Sequence, residues 1–135
     1  MLTPADAQRF LDENFADWVR ALDLTIAAID PDGATLRMPI TPALARVGGI
    51  LSGQALAAMA DTSMVFACAG HMGAFKPVAT TNLDTVFLRP GTGDAVRCEA
   101  EIVRAGKALI FARATLITEP SEKPVATATA TFFLP

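Results

Sequence analysis

The chain has 135 residues, a formal net charge of −3 at pH 7, and 52% apolar against 19% charged residues. This length and composition favour one folded domain over residues 1–135 and exclude a disordered chain, which needs low hydrophobicity and high charge. The slightly acidic balance and the lack of a run of basic residues argue against nucleic acid as a partner.

The first predicted element is an amphipathic helix. Thr3 is a suitable N-cap, and Pro4 suits the first helical position. Apolar residues then recur at helical spacing as far as Leu22, so we expect one continuous helix with a buried face. These residues are Phe10, Leu11, Phe15, Trp18, Val19 and Leu22.

A β-hairpin is predicted next. Residues 24–29 and 34–40 have strand character, and Pro31-Asp32-Gly33 between them is typical of a turn with proline at its second position. The segment 41–49 that follows the hairpin is irregular.

The central element is a long helix over residues 53–71 that is apolar nearly all round. Ser52 can cap its start, while Gly70 and Gly73 are expected to bracket its end. A helix of this kind is buried on most of its faces. Its apolar run, residues 55–69, is shorter than the ~20 residues that span a bilayer and contains Asp61, so no membrane span is predicted.

Four strand-like segments complete the chain, and the spacing of the turns between them predicts an antiparallel meander. An all-apolar helix among such strands has to be wrapped by their sheet. The predicted architecture is therefore α+β, with a curved antiparallel sheet around a long central helix. The four segments are residues 78–88, 95–103, 108–118 and 125–134.

Two further patterns indicate the compartment. The first ten residues have no basic start followed by an apolar stretch, so no signal peptide is expected. Cys68 and Cys98 are predicted to be buried thiols, because two cysteines alone do not make a disulfide framework. A cytoplasmic location is the resulting expectation.

Three stretches together resemble the hotdog-fold acyl-CoA thioesterases of the phenylacetate-pathway type. Residues 49–62 are similar to the family's central-helix start, where a His-Gly-Gly turn is followed by an acid nine residues after the His. Residues 80–90 are similar to the family's strand ending in Arg-Pro, and residues 93–103 with 126–132 extend the likeness. The resemblance implies a hotdog fold and hydrolysis of acyl-CoA thioesters.

Asp61 stands at the position of the family's catalytic acid. A carboxylate in the middle of an apolar helix is costly unless it is paired or functional. As the catalytic residue it would act either as nucleophile or as the base that activates water, and both roles stay open. The structural alternative is an aspartate that bonds a neighbouring loop or a partner subunit.

Other site residues lie near the start of the central helix and on the strand after it. Gly53 is expected to offer its free N–H to the thioester oxygen as that oxygen gains charge. Ser52 stands where the family usually has His, so it is either a catalytic substitute or a plain N-cap. The residues expected to contact the substrate are Gln54, Thr80, Thr81, Arg46 and Arg89, with the two arginines attracting the phosphates of CoA.

The spacing of Gly53 and Asp61 predicts a site shared between subunits. Eight residues of helix place them about 12 Å apart along the axis. Both groups must come within ~3 Å of one carbonyl, which a single helix cannot easily provide. Two antiparallel helices related by a two-fold axis can, so we expect a functional dimer, paired by analogy with the family into a homotetramer.

The leading expectation is therefore a thioesterase acting on a small, medium or aromatic acyl-CoA, with no metal or prosthetic group. A non-catalytic acyl-CoA or aromatic-acid binding protein is the alternative, because Ser52 and Gln54 depart from the family pattern. A hotdog dehydratase is less favoured, since that chemistry pairs a His with the acid and the single His, His71, is distant from Asp61 in sequence.

Overall fold

The computed structural model describes all 135 residues. Three helices, a short 3-10 turn and eight strands follow one another along the chain. In chain order they are α1 (Pro4–Asn14), α2 (Asp17–Arg20), β1 (Thr25–Asp30), β2 (Gly33–Pro39), the 3-10 turn (Pro42–Leu44), β3 (Ala45–Arg46), β4 (Ile50–Leu51), α3 (Gly53–Met72), β5 (Ala79–Phe87), β6 (Ala95–Ala105), β7 (Leu109–Glu119) and β8 (Lys123–Phe133).

Six strands form one antiparallel sheet in the order β1-β2-β6-β7-β8-β5, and this sheet holds α3 against its concave face. The small β3–β4 pair lies just before α3. The predicted architecture is confirmed, and so is the β1–β2 hairpin. Cys68 and Cys98 are free and buried, as expected.

The predicted meander is correct for β6, β7 and β8 but wrong for β5. β6 is paired on both sides, with β2 and β7, so β5 instead adds to β8 at the far edge of the sheet. The connection from β5 to β6 therefore crosses the end of the sheet. Hydrogen bonds hold it there: Leu88 N–H donates to Val125 O (2.8 Å), and Leu51 N–H donates to Gly91 O (3.0 Å).

The first helix is also shorter than predicted. Thr3 caps it with a reciprocal pair of hydrogen bonds to Asp6, as its sequence indicates, but the helix ends at Asn14. Phe15 is extended and its ring stacks on Phe66 of α3, with ring centroids 5.4 Å apart. This packing breaks the helical path, and Trp18 is consequently 63% exposed rather than part of a buried face.

Both ends of α3 are set by local sequence. Ser52 Oγ accepts a hydrogen bond from Ala55 N–H (3.2 Å), and Gly73 ends the helix in the left-handed conformation (φ 70°). The helix ends at Met72, so Gly70 and Gly73 bracket its end as expected, with Gly70 inside the last turns. A Cβ atom there would come within 2.3 Å of Asp30 O, so glycine is needed for the close approach of α3 to β1. None of the helices has both the length and the apolar character needed to cross a bilayer.

The capping geometry of Ser52 leads to a stability prediction. Removing the cap with Ser52→Ala is expected to lower the free energy of unfolding by about 1 kcal/mol, measured by denaturant titration, with little loss of the thioester cleavage that the family resemblance implies. If Ser52 instead takes over the role of the family's His, Ser52→His is expected to preserve or raise turnover. A stable Ser52→Ala variant with a severe loss of rate would show that the hydroxyl does more than cap the helix.

Candidate active site

One stripe of α3 is left incompletely covered by the sheet. Twelve of the 20 helical residues are buried, whereas the half-buried ones recur at intervals of three or four positions. The stripe lies alongside the edge strand β5, which contacts it at both ends. Its members are the half-buried Gly53, Ala57, Ala58, Asp61 and Val65, together with the exposed Gln54.

Asp61 is the charged residue of this stripe. It is half-buried, and its Oδ1 accepts a hydrogen bond from Thr80 Oγ1 on β5 (2.9 Å). Burial raises the pKa of Asp61 above its ordinary value, and the Thr80 hydrogen bond opposes that rise. A raised pKa brings a carboxylate closer to the operating pH, which favours its use as a base. Thr80 orients the carboxylate at the same time.

The start of α3 forms a second feature, about two helical turns away from Asp61. Gly53 and Gln54 are the first two residues of the helix, and their N–H groups have no partner within it. The N–H of Ala55 is already taken by Ser52. Two free donors at the positive end of the helix can hold an oxygen that gains negative charge during a reaction.

A cavity of about 360 Å³ opens beside this helix start. Gly53 lies on one wall, and the side chains of Arg46 and Arg89 contribute positive charge to the lining. The remaining lining is largely apolar. Guanidinium groups suit phosphate oxygens, so this cavity matches a ligand with both anionic and apolar parts.

Within one chain, the predicted residues therefore fall into two groups. One surrounds the helix start: Arg46, Ser52, Gly53, Gln54 and Arg89. The other consists of Asp61 and Thr80, with Thr81 next to them as the unpaired residue of a bulge in β5. No cluster of three or more His, Cys, Asp or Glu side chains is close enough to hold a metal ion.

Sequence reasoning missed two contacts of these groups. It treated Thr80 as a residue that touches substrate, whereas Thr80 directly bonds the carboxylate of Asp61. It gave no role to Phe87, whose ring lies against Gly53. The partners are separated by 19 and 34 positions, so the only sequence signal was their presence in the two stretches that resemble the thioesterase family.

The Thr80 hydrogen bond leads to a prediction about pH dependence. It stabilises the ionised form of Asp61, so Thr80→Val is expected to raise the pKa of Asp61 further. If the ionised carboxylate is the active form, the acidic limb of the rate profile then moves to higher pH, which is measured on the thioester cleavage that the family resemblance implies. Thr85→Val is the matched control, because Thr85 lies on the same strand and face without a bond to Asp61. Identical profiles for both variants would contradict the role of Thr80.

Comparison with known proteins adds to this geometry. Residues 39–133 match the family of acyl-CoA thioesterase N-terminal domains. A search of curated proteins finds no match. Among solved structures, a thioesterase family protein from Silicibacter pomeroyi is 25% identical, with a TM-score of 0.85 over 94% of this chain and 93% of its own.

Two more distant structures show the same fold. Zebrafish thioesterase superfamily member 2 is 18% identical and superposes with a TM-score of 0.88 over 100% of both chains. A thioesterase from Haemophilus influenzae is 20% identical, with a TM-score of 0.88 over 98% of this chain and 90% of its own. These likenesses confirm the hotdog fold that the sequence resemblance implied.

Proposed function

Because the chain belongs to the family of acyl-CoA thioesterase N-terminal domains, we propose that it hydrolyses acyl-CoA thioesters to a free acid and CoA, with Asp61 as the catalytic carboxylate. The observation that carries this proposal is the half-buried Asp61, whose pKa is raised by burial and which Thr80 holds on the open stripe of α3. The acyl group is small, medium or aromatic, as in the phenylacetate-pathway type. Residues 1–135 act as one domain.

The chemistry needs two protein groups at the thioester carbonyl. The free N–H groups of Gly53 and Gln54 bind the carbonyl oxygen and stabilise its developing charge, where one such donor is typically worth ~3 kcal/mol. Asp61 either attacks the carbonyl carbon, giving an acyl-enzyme anhydride that water then cleaves, or takes a proton from the attacking water. In both cases the CoA thiolate leaves and is protonated. Arg46 and Arg89 attract the phosphates of CoA.

The edge strand β5 supports a site shared between two subunits. Its outer edge has no partner strand, and apolar side chains are exposed where it ends: Val86 and Phe87 of the strand and the following Leu88 are 49–56% exposed. Exposed apolar edge strands are usually covered or paired in a stable assembly. Two copies of β5 joined antiparallel about a two-fold axis would form one continuous sheet.

Such pairing would complete the site. The two ends of β5 carry its two contacts with α3, since Thr80 bonds Asp61 and Phe87 lies against Gly53. Thr80 and Phe87 are seven residues apart along the strand, which separates their backbones by about 23 Å, and their side chains converge on the two ends of a helix segment about 12 Å long. With Leu83 at the centre, Phe87 and Gly53 of one subunit would meet Thr80 and Asp61 of the partner subunit. The dimer would then hold two complete sites, and we propose that two dimers form a homotetramer.

A panel of acyl-CoAs tests the proposed activity, with free thiol followed by a colorimetric reagent and binding by calorimetry. Thiol release above the uncatalysed rate supports the thioesterase. Saturable binding without release would instead indicate the non-catalytic binding protein that the Ser52 and Gln54 departures motivate. Loss of water from a hydroxyacyl-CoA, without thiol release, would indicate a dehydratase.

A further inference from the structure

We infer that Phe87 is a specificity-determining residue, whose ring forms the wall beside the carbonyl-binding end of α3 and disfavours acyl groups branched at the carbon next to the carbonyl. This inference rests on the proposed function, because it assigns the thioester carbonyl to the N–H groups of Gly53 and Gln54. It extends that function to a choice among substrates.

The register of β5 places Phe87 on the concave side of the sheet. Phe87 is paired with Ala126, which is fully buried on that side. The ring extends past the end of the sheet core to the first turn of α3, where its tip atom Cζ is 3.2 Å from the position that a Cβ atom of Gly53 would occupy. Because Gly53 has no Cβ atom, the Phe87 ring can approach the helix closely at this position.

The position of the ring between two cavities shows what it can do. The cavity of about 360 Å³ lies on one side, with Arg46 and Arg89 in its lining. A second cavity of about 350 Å³ lies on the other side, lined by the uncharged Gln54 and Ala57 of the open stripe. Gly53 and Phe87 are the only residues that the two cavities share.

The charges of the two cavities assign the two halves of a thioester. The CoA half carries phosphates and suits the cavity with the arginines. The acyl half is uncharged and suits the cavity along Gln54 and Ala57. With the carbonyl oxygen at the helix start, the thioester passes from one cavity to the other beside Gly53, which both cavities share. The carbon next to the carbonyl then lies against the Phe87 ring.

A rigid ring at this place admits a linear acyl chain and meets the extra methyl group of a branched one. One methyl group more or less in an apolar pocket changes the relative rate by roughly 10–200-fold. The ring has fewer ways to move aside than a long aliphatic side chain, because Phe has only two side-chain torsions and one edge of the ring lies against the helix at Gly53.

Butyryl-CoA and isobutyryl-CoA provide the test, since they have the same number of carbons and differ in branching next to the carbonyl. The ratio of their kcat/KM values, linear over branched, is measured for the parent protein and for Phe87→Ala, Phe87→Leu and Phe87→Trp. We expect a parent ratio above one that falls by about 10-fold or more in Phe87→Ala, falls less in Phe87→Leu and rises in Phe87→Trp. Trp18→Ala, which truncates another exposed aromatic residue that lines neither cavity, is expected to keep the parent ratio.

A merely structural role for Phe87 would lower both rates together and leave the ratio unchanged. A ratio within two-fold of the parent in every folded Phe87 variant therefore overturns the inference. Circular dichroism establishes which variants fold. If Phe87→Ala does not fold, the ratios of Phe87→Leu and Phe87→Trp decide the matter.

The failure of the proposed activity is distinguishable from the failure of this inference. If the parent protein releases no thiol, the same ratio is measured as relative Kd for two ketone analogues of CoA, in which a methylene group separates sulfur from carbonyl. These analogues carry the linear and the branched chain and cannot be hydrolysed at the sulfur. A shift of their Kd ratio in the Phe87 variants supports the inference without catalysis, and an unchanged ratio overturns it.

Discussion

Asp61→Asn is expected to lower the turnover of the best acyl-CoA substrate by a factor of about 100 or more, the scale of losing nucleophilic or acid–base assistance. The substitution keeps the size of the side chain, and the amide oxygen can still accept the hydrogen bond from Thr80. It removes the negative charge that both proposed roles require. Steady-state kinetics by thiol release measures the effect, and Asp32→Asn is the matched control because Asp32 lies exposed in the β1–β2 turn.

The same substitution is expected to stabilise the fold at neutral pH. Burial raises the pKa of Asp61 in the folded chain above its value in the unfolded chain, so the ionised side chain costs stability. This cost is absent below the unfolded pKa and is fully present above the folded pKa. Asp61→Asn should therefore have a higher Tm than the parent at pH 7, and the difference should shrink as the pH falls into the acidic range.

Activity and stability together separate the catalytic role from a structural one. A residue kept for structure loses stability when it is replaced, whereas a residue kept for catalysis loses rate and leaves the fold as stable or more so. An Asp61→Asn protein that cleaves the best substrate at the parent rate would make Asp61 structural. A large drop in Tm with proportionate loss of active protein would also contradict the catalytic assignment.

The fold was predictable from sequence wherever a local signal determines the structure. The limits of α3 follow from Ser52 and Gly73, which act through hydrogen bonds and backbone conformation within a few residues of the helix ends. The break at Phe15 was not predictable, because it depends on stacking against Phe66, a residue 51 positions later. Helical periodicity continues across that break and conceals it.

The same distinction applies to the strands and to the candidate site. Turn spacing locates β5 but does not select its partner, which depends on β6 being already paired on both sides. Asp61 is visible in sequence as a charge within an apolar run, a pattern that indicates function. Its bond to Thr80 and the contact of Phe87 with Gly53 exist only because β5 returns along α3 at the edge of the sheet.

Mixing two inactive variants is expected to restore about one quarter of the parent activity per mass of protein, if each site takes Gly53 from one subunit and Asp61 from the other. Asp61→Asn subunits keep Gly53, and Gly53→Pro subunits keep Asp61. Random exchange makes half of the dimers mixed. Each mixed dimer has one site with both lesions and one with none, so half of its sites are active.

Gly53→Pro suits this experiment because it removes an N–H donor without opposing the backbone. Proline is well tolerated at the first position of a helix, and Ser52 before it is already extended (φ −66°, ψ 147°). The added ring carbons crowd Phe87, so Gly53→Ala is the matched control: it adds a Cβ atom at the same place, 3.2 Å from the ring, but keeps the donor. Gly53→Pro is expected to lose far more activity than Gly53→Ala.

The assembly itself must be measured alongside activity. Light scattering is expected to show no large fraction of monomer, and subunit exchange is followed by mass spectrometry of isotopically labelled and unlabelled variants. If the site is shared, the recovered activity rises in proportion to the fraction of mixed dimers and does not depend on total protein alone. Confirmed exchange with no recovery, or a fully active monomer, would contradict the shared site. In that case Gly53 and Asp61, about 12 Å apart along α3, would not act on the same carbonyl.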